Sequence, residues 1–180
     1  MPNELAPVNV IVAGLGGQGV IKASDILADA AFRAGYDVKK SEVHGMSQRG
    51  GSVTSDVRFS KKVLSPMVPA GEADYLIVLD AGQVDNNRCH LRDGGVLITP
   101  GLLLGGVTSP KQLDRDPGTP LSSRNVNVAM LGALSTYVDI PEPCWHDAVR
   151  ANLPDKVHAQ NLEVFAIGRS WSSADGKRSG

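Results

Sequence analysis

Residues 8–13, Val-Asn-Val-Ile-Val-Ala, run straight into Gly14-Leu15-Gly16-Gly17-Gln18-Gly19. An apolar stretch with Asn9 as its single polar interruption suits a buried strand, and the clustered glycines after it suit a tight turn. From Val20 the apolar positions Val20, Ala23, Leu27, Ala30 and Ala34 recur at helical spacing, with Lys22, Asp25, Asp29 and Arg33 between them, until Gly35 closes the pattern. Strand, glycine turn, amphipathic helix and stop make the first half of a βαβ unit, and that commits the chain to the α/β class.

The remaining segments extend this beginning. Residues 37–41 form a second short strand, and residues 42–51 are a polar, glycine-bearing loop. Val53, Ser55, Val57 and Phe59 alternate with Thr54, Asp56 and Arg58, the period of a strand with one drier face. Ser60-Lys61-Lys62 then turns that strand back into Val63-Leu64-Ser65, a hairpin that makes the sheet mixed. Tyr75-Leu76-Ile77-Val78-Leu79 is the most apolar run and is expected at the centre of the sheet, with Asp80 leading through Ala81-Gly82 into a helix to Leu91. Asp93-Gly94-Gly95 signals a turn before a strand over 96–99, which Pro100 ends.

Residues 101–123, rich in glycine and proline, read as a long excursion or a piece with one short strand. Helices are predicted over 125–138, with Asn125 as N-cap, over 144–153 and over 158–171; the polar tail 172–180 is expected to be flexible. The predicted fold is α/β, a Rossmann-like layered domain with a mixed, mostly parallel sheet flanked by helices. All 180 residues form one domain whose core spans about 8–171.

Composition narrows the function. Aromatics are only 4% of the chain, so the core must be Val, Ile, Leu and Ala. A net charge of -1 with both signs scattered gives no basic footprint, and no nucleic-acid partner is expected. No run reaches 18 apolar residues and the first eight residues lack a secretory pattern, so no membrane contact and a cytoplasmic location are expected. Cys89 and Cys144 stand far apart with no second Cys near either; they read as small buried hydrophobes, and no metal ligand is expected.

Two segments could carry chemistry. Gly14, Gly16 and Gly19 give a GxGxxG pattern between strand and helix, which serves equally as an anion or nucleotide site and as a structural turn. For a dinucleotide, Glu42 near the end of the second strand would be the ribose ligand. The second segment is Glu42-Val43-His44-Gly45-Met46-Ser47-Gln48-Arg49-Gly50-Gly51. It is either a plain connector or a loop presenting His44, Ser47, Gln48 and Arg49 to an acidic or carbonyl ligand. His90 and His146 fall on predicted helices and read as surface or packing residues.

The glycine turn, the HGMSQRGG loop after it and residues 74–80 together resemble the gamma subunit or gamma domain of 2-oxoacid:ferredoxin oxidoreductases. The likeness is greatest to the beta subunit of indolepyruvate ferredoxin oxidoreductase and extends to the gamma type of pyruvate/ketoisovalerate oxidoreductases; it covers residues 8–170. The resemblance implies a complex that decarboxylates a 2-oxoacid with thiamine diphosphate and magnesium, forms a coenzyme A thioester and passes electrons through iron–sulfur clusters to ferredoxin. It implies alpha- and beta-type partners, with a delta-type one in some complexes, and a homodimer when the chain is isolated.

This chain itself is expected to hold none of those cofactors and no catalytic residue. The family's Gly-Asp-Gly motif followed by Asn-Asn is missing, since Asn86-Asn87 here precedes Asp93-Gly94-Gly95, and two lone cysteines cannot hold a cluster. On this reading Gly14, Gly16, Gly17, Gln18 and Gly19 form an anion site or a structural turn, and His44, Ser47, Gln48 and Arg49 face a partner or the substrate or coenzyme A channel. The rival readings are a stand-alone NAD(P)-binding dehydrogenase and a non-redox interaction protein.

Overall fold

The computed structural model describes residues 6–45 and 50–175. Five strands, β1 Val8–Leu15, β2 Asp37–His44, β3 Ser52–Ser60, β4 Ala73–Val78 and β5 Leu91–Ile98, form one sheet in the order β2-β3-β1-β4-β5. β1 pairs with β4 and β4 with β5 in parallel, while β3 runs antiparallel to both β1 and β2. Only β3 therefore points against the others, giving the expected mixed sheet with most strands in one direction.

Helix α1, Val20–Arg33, buries Val20, Ala23, Ile26, Leu27, Ala30 and Ala31. They pack on Val10, Val12, Val57 and Phe59, which point to the same side of the sheet. The short helices α2, Val84–Asn87, and α3, Pro100–Leu104, belong to connections. Helices α4 Val126–Leu134, α5 Glu142–Asn152 and α6 His158–Asp175 complete the layer on the α1 side. Every residue of α4 is buried, which its apolar sequence around the whole helix requires. α4 and α6 cross with their backbones in contact: a Cβ at Gly168 would land on the Ala129 carbonyl oxygen and one at Gly132 on that of Phe165. The opposite face of the sheet has a smaller core of Ile11, Ala13, Leu76 and Val78 beneath Val68 and Val84.

Several expectations are corrected. The hairpin partner of β3 is β2, and residues 63–65 form no strand. Arg58 instead binds the carbonyls of Ser65 and Met67 at 3.0 Å each, and Asp37 accepts the Val63 N–H at 2.8 Å, fixing this segment as a loop. The central strand is β1, because β3 occupies its second edge while β4 lies one place away. Beyond Asp80, whose carboxylate caps Gly82 N–H at 3.0 Å, the helix breaks into two 3-10 turns, Ala81–Gln83 and Arg88–His90, around α2. Asp93-Gly94-Gly95 lies inside β5, where Gly94 at φ 72° coincides with a register shift against β4.

The strand β2 continues to His44, into the segment read as loop. Residues 101–123 contain α3 and a 3-10 segment, Pro110–Arg115, and no strand. The helix expected to reach residue 138 stops at Leu134. Asn125 stands at its N-cap, yet its carboxamide accepts from Ser122 N at 2.8 Å and donates to Pro120 O at 2.9 Å, organising the preceding loop. α6 extends into the expected tail as far as Asp175, and residues 176–180 lie outside the described residues. Cys89 is exposed and Cys144 half-buried, against the expectation of two core thiols; Cys89 sits in the 3-10 turn Arg88–His90, which buries none of its residues. No helix among the described residues is long and apolar enough to cross a membrane.

Candidate functional site

At the carboxyl ends of β1 and β4 the chain makes a cleft of about 520 Å³, whose floor is the glycine turn. Such crevices are where wound α/β sheets carry their sites, because the connections diverge there. Gly17 and Gly19 have φ of 86° and 83°, a region that a Cβ disfavours. Two glycines of the GxGxxG pattern, Gly14 and Gly19, are also crowded by protein, whereas a Cβ at Gly16 would make only ordinary contact with Gly50 at 3.4 Å. A Cβ at Gly14 would come within 2.9 to 3.2 Å of Gln18 Oε1, Val20 and Leu79, and one at Gly19 would meet Asn127 Nδ2 at 2.5 Å. Asn127 Nδ2 donates to the Gly19 carbonyl at 3.1 Å, tying the start of α4 to the start of α1. Gly16 N–H donates to Gly51 O at 2.9 Å, which holds the residue before β3 against the turn, and Gly45 N–H donates to Ser52 O at 2.7 Å within the β2–β3 hairpin.

Gln18 fills the inside of the turn. Its Oε1 accepts the Leu15 N–H at 2.8 Å and its Nε2 donates to Asp80 Oδ2 at 2.9 Å. Asp80 thus links the two strand ends while its other oxygen caps Gly82. Ala81 N–H donates to Thr108 O at 3.0 Å, bringing in the Ser109–Gln112 capping box. The rim then carries Lys111 and Arg124, both exposed. Nearby, Asp114 is held below the ordinary aspartate range by the Ser123 backbone N–H and hydroxyl, at 2.8 and 2.7 Å.

The predicted residues divide accordingly. Gly14, Gly16, Gly17, Gln18 and Gly19 lie together at the turn. His44 ends β2, exposed, with Nε2 3.6 Å from Glu42 Oε2. Ser47, Gln48 and Arg49 lie outside the described residues. Glu42 does not reach the glycine turn as a ribose ligand would: β3 intervenes, leaving β2 about 10 Å from β1. Its carboxylate is bound by Lys40 at 2.6 Å, which lowers its pKa. His146 packs edge-on against Phe165 and pairs with Glu142 at 3.4 Å, a packing role. Sequence reasoning missed Asp80, Lys111, Arg124 and Asn127 as parts of this region. Asp80 was detectable, as a carboxylate ending an apolar strand; the two cations fall in or beside the aperiodic stretch and were not.

The cleft does not fit a magnesium-bound diphosphate. Among the described residues Asp80 is its one carboxylate, and both oxygens already accept hydrogen bonds. Among the described residues no group of three or more His, Cys, Asp or Glu could hold a metal ion.

Residues 9–171 match the pyruvate ferredoxin/flavodoxin oxidoreductase family, and the chain belongs to it. It is 44% identical over 191 residues to indolepyruvate oxidoreductase subunit IorB of Methanothermobacter thermautotrophicus, with 89% of this chain and 95% of that one covered. Its fold is similar to that of the keto/oxoacid ferredoxin oxidoreductase gamma subunit from Geobacter sulfurreducens, with TM-score 0.75, 24% identity and coverage of 93% and 99%. A structure of 2-oxoglutarate:ferredoxin oxidoreductase from Magnetococcus marinus, with 2-oxoglutarate, coenzyme A and succinyl-CoA bound, also gives TM-score 0.75 at 24% identity; 93% of this chain covers 31% of that one. The resemblance read from the glycine turn and its companion loop is borne out, as are the α/β fold and the assignment to the subunits of 2-oxoacid:ferredoxin oxidoreductases.

Proposed function

We propose that this chain is a gamma-type docking subunit, inactive alone, that presents the β1/β4 cleft to alpha- and beta-type partners in a cytoplasmic complex. Those partners hold thiamine diphosphate, magnesium and, with a delta-type part where one exists, the clusters that reduce ferredoxin. The carrying observation is the Leu15–Gln18–Asp80 network, which sets the cleft floor by protein hydrogen bonds and leaves Lys111 and Arg124 at the rim. Paired exposed cations suit a partner carboxylate or a phosphate of coenzyme A, and a bidentate guanidinium adds geometry to charge. His44, Ser47, Gln48 and Arg49 belong to the same surface on this reading, since the Gly16–Gly51 hydrogen bond holds one end of their loop beside the turn.

The crowding of Gly14 by Gln18 and of Gly19 by Asn127, together with the displacement of Glu42, weighs against a dinucleotide site. The test is co-expression with the neighbouring thiamine and cluster subunits, followed by 2-oxoacid-dependent ferredoxin reduction. Lys111→Glu with Arg124→Glu should weaken assembly or raise the KM for coenzyme A while the isolated chain keeps its Tm. Wild-type assembly and kinetics in that double variant would refute the cleft's role.

A further inference from the structure

The sheet has two open edges, β2 and β5, and they are built differently. β2 carries an ionisable side chain at five of its eight positions, Asp37, Lys39, Lys40, Glu42 and His44, which guards it against another strand adding there. β5 has no such guard at its carboxyl end. Residues 96–110 contain no charged side chain, and the strand closes on Val96-Leu97-Ile98. With β4 on one side only, alternate residues of β5 turn N–H and C=O outward. Among the described residues no backbone hydrogen bond outside the β4 ladder reaches Val96, Leu97 or Ile98.

An apolar groove of about 150 Å³ lies beside this edge, with Val96 and Ile98 on one side and Leu102, Leu103 and Tyr137 on the other. Leu102 is 63% and Tyr137 45% exposed. Open main chain next to an apolar groove suits an added strand, whose backbone pairs with the edge while every second side chain enters the groove. Length decides which strand. The register shift at Gly94 leaves Val96–Ile98 as the regular stretch, about 10 Å long. Twofold pairing of β5 with a second copy over that length falls far short of the roughly 1,200 Å² that stable interfaces bury. A segment of a larger partner needs no such area, because contacts elsewhere keep it close.

We propose that the β5 edge takes a short extended segment of a partner subunit as a sixth strand, apolar at alternate positions and uncharged where it meets Val96–Ile98. This rests on the docking reading, since the β1/β4 cleft holds the rest of the assembly.

The full chain would be compared, by hydrogen–deuterium exchange, alone and in the complex co-expressed with the neighbouring thiamine and cluster subunits. Exchange of the outward amides among residues 96–98 should slow about tenfold or more on assembly. Leu102→Glu sets a charge in the groove. Thr99 Oγ1 accepts the Leu102 N–H at 3.1 Å, so the new carboxylate stands where a capping box places one and the isolated variant should keep its Tm. In the complex that variant should lose the protection and assemble about tenfold more weakly. Assembly with exchange at 96–98 unchanged, or wild-type protection in Leu102→Glu, would overturn the added strand and leave the cleft reading standing. Failure to assemble at all would overturn both. Protection that instead appears in the isolated chain as its concentration rises, with dimers in sedimentation, would make the occupant a second copy and overturn the partner assignment.

Discussion

The side-chain amide of Gln18 donates to Asp80 Oδ2 at 2.9 Å, joining the turn after β1 to the end of β4. The same side chain accepts from Leu15 N–H, so Gln18→Leu removes two hydrogen bonds and leaves a backbone donor unpaired. Urea denaturation should show a loss of about 2 kcal/mol. Gln18→Glu sets a second carboxylate against Asp80, and its deficit should be largest near neutral pH and shrink as the solution is acidified. Wild-type stability in Gln18→Leu would mean that the network does not hold the turn.

The α4–α6 crossing separates two kinds of glycine. Gly168→Ala places a methyl on the Ala129 carbonyl, where only movement of a helix can relieve it, and should cost about 3 kcal/mol or more. Gly17→Ala meets open space and strains only its own backbone, at φ 86°, so about 1 kcal/mol is expected. Thermal melts of the two variants should fall in that order.

Asp56 gives a pH dependence of definite sign. Burial raises its pKa, outweighing the Val68 N–H, His90 and Arg58, which lower it. A carboxyl whose folded pKa lies above its unfolded one favours folding below the unfolded value, and that contribution is lost as pH rises through the folded value. Asp56→Asn removes the titration while Oδ1 can still accept from Val68. The stability of the variant relative to wild type should therefore rise with pH across the range just above the ordinary aspartate value; paired denaturation curves at pH 3.5 to 7 would expose the opposite slope. These pH limits lie roughly half a unit below and about three units above the reference aspartate value.

In a reconstituted complex Arg49→Ala should lower catalytic efficiency or assembly affinity roughly ten- to hundredfold, the worth of one hydrogen bond to a charged group. Arg49→Lys should already be impaired if two parallel donors are used. The Tm of the isolated chain serves as control, and equal activity for Arg49→Ala, Gln48→Ala and His44→Ala would leave the loop as a connector.

Much of the layout was legible because it rests on local signals. The period of Val20, Ala23, Leu27 and Ala30 specifies α1, and the glycine string specifies the turn before it. The partner of β3 was not legible, since alternation from Val53 to Phe59 says which face is dry and nothing about which strand lies alongside. Sequence proximity favoured Val63-Leu64-Ser65, but the hydrogen bonds of Arg58 and Asp37 hold that stretch off the sheet. The site shows the same division. The turn glycines announced themselves, while Lys111 and Arg124 reach the cleft only through Ala81–Thr108 and other long-range contacts that no periodicity encodes.

The β2–β3 ladder pairs Asp37 with Ser60 and continues without a break to His44 opposite Val53. A strand shifted by one residue would turn Val57 and Phe59 out of the core, so this ladder resists slippage along its length. Insertions or deletions between residues 45 and 51 can then be absorbed at the hairpin tip without moving the sheet. The segment between these two strands is thus exchangeable as a cassette on a scaffold whose registration stays fixed.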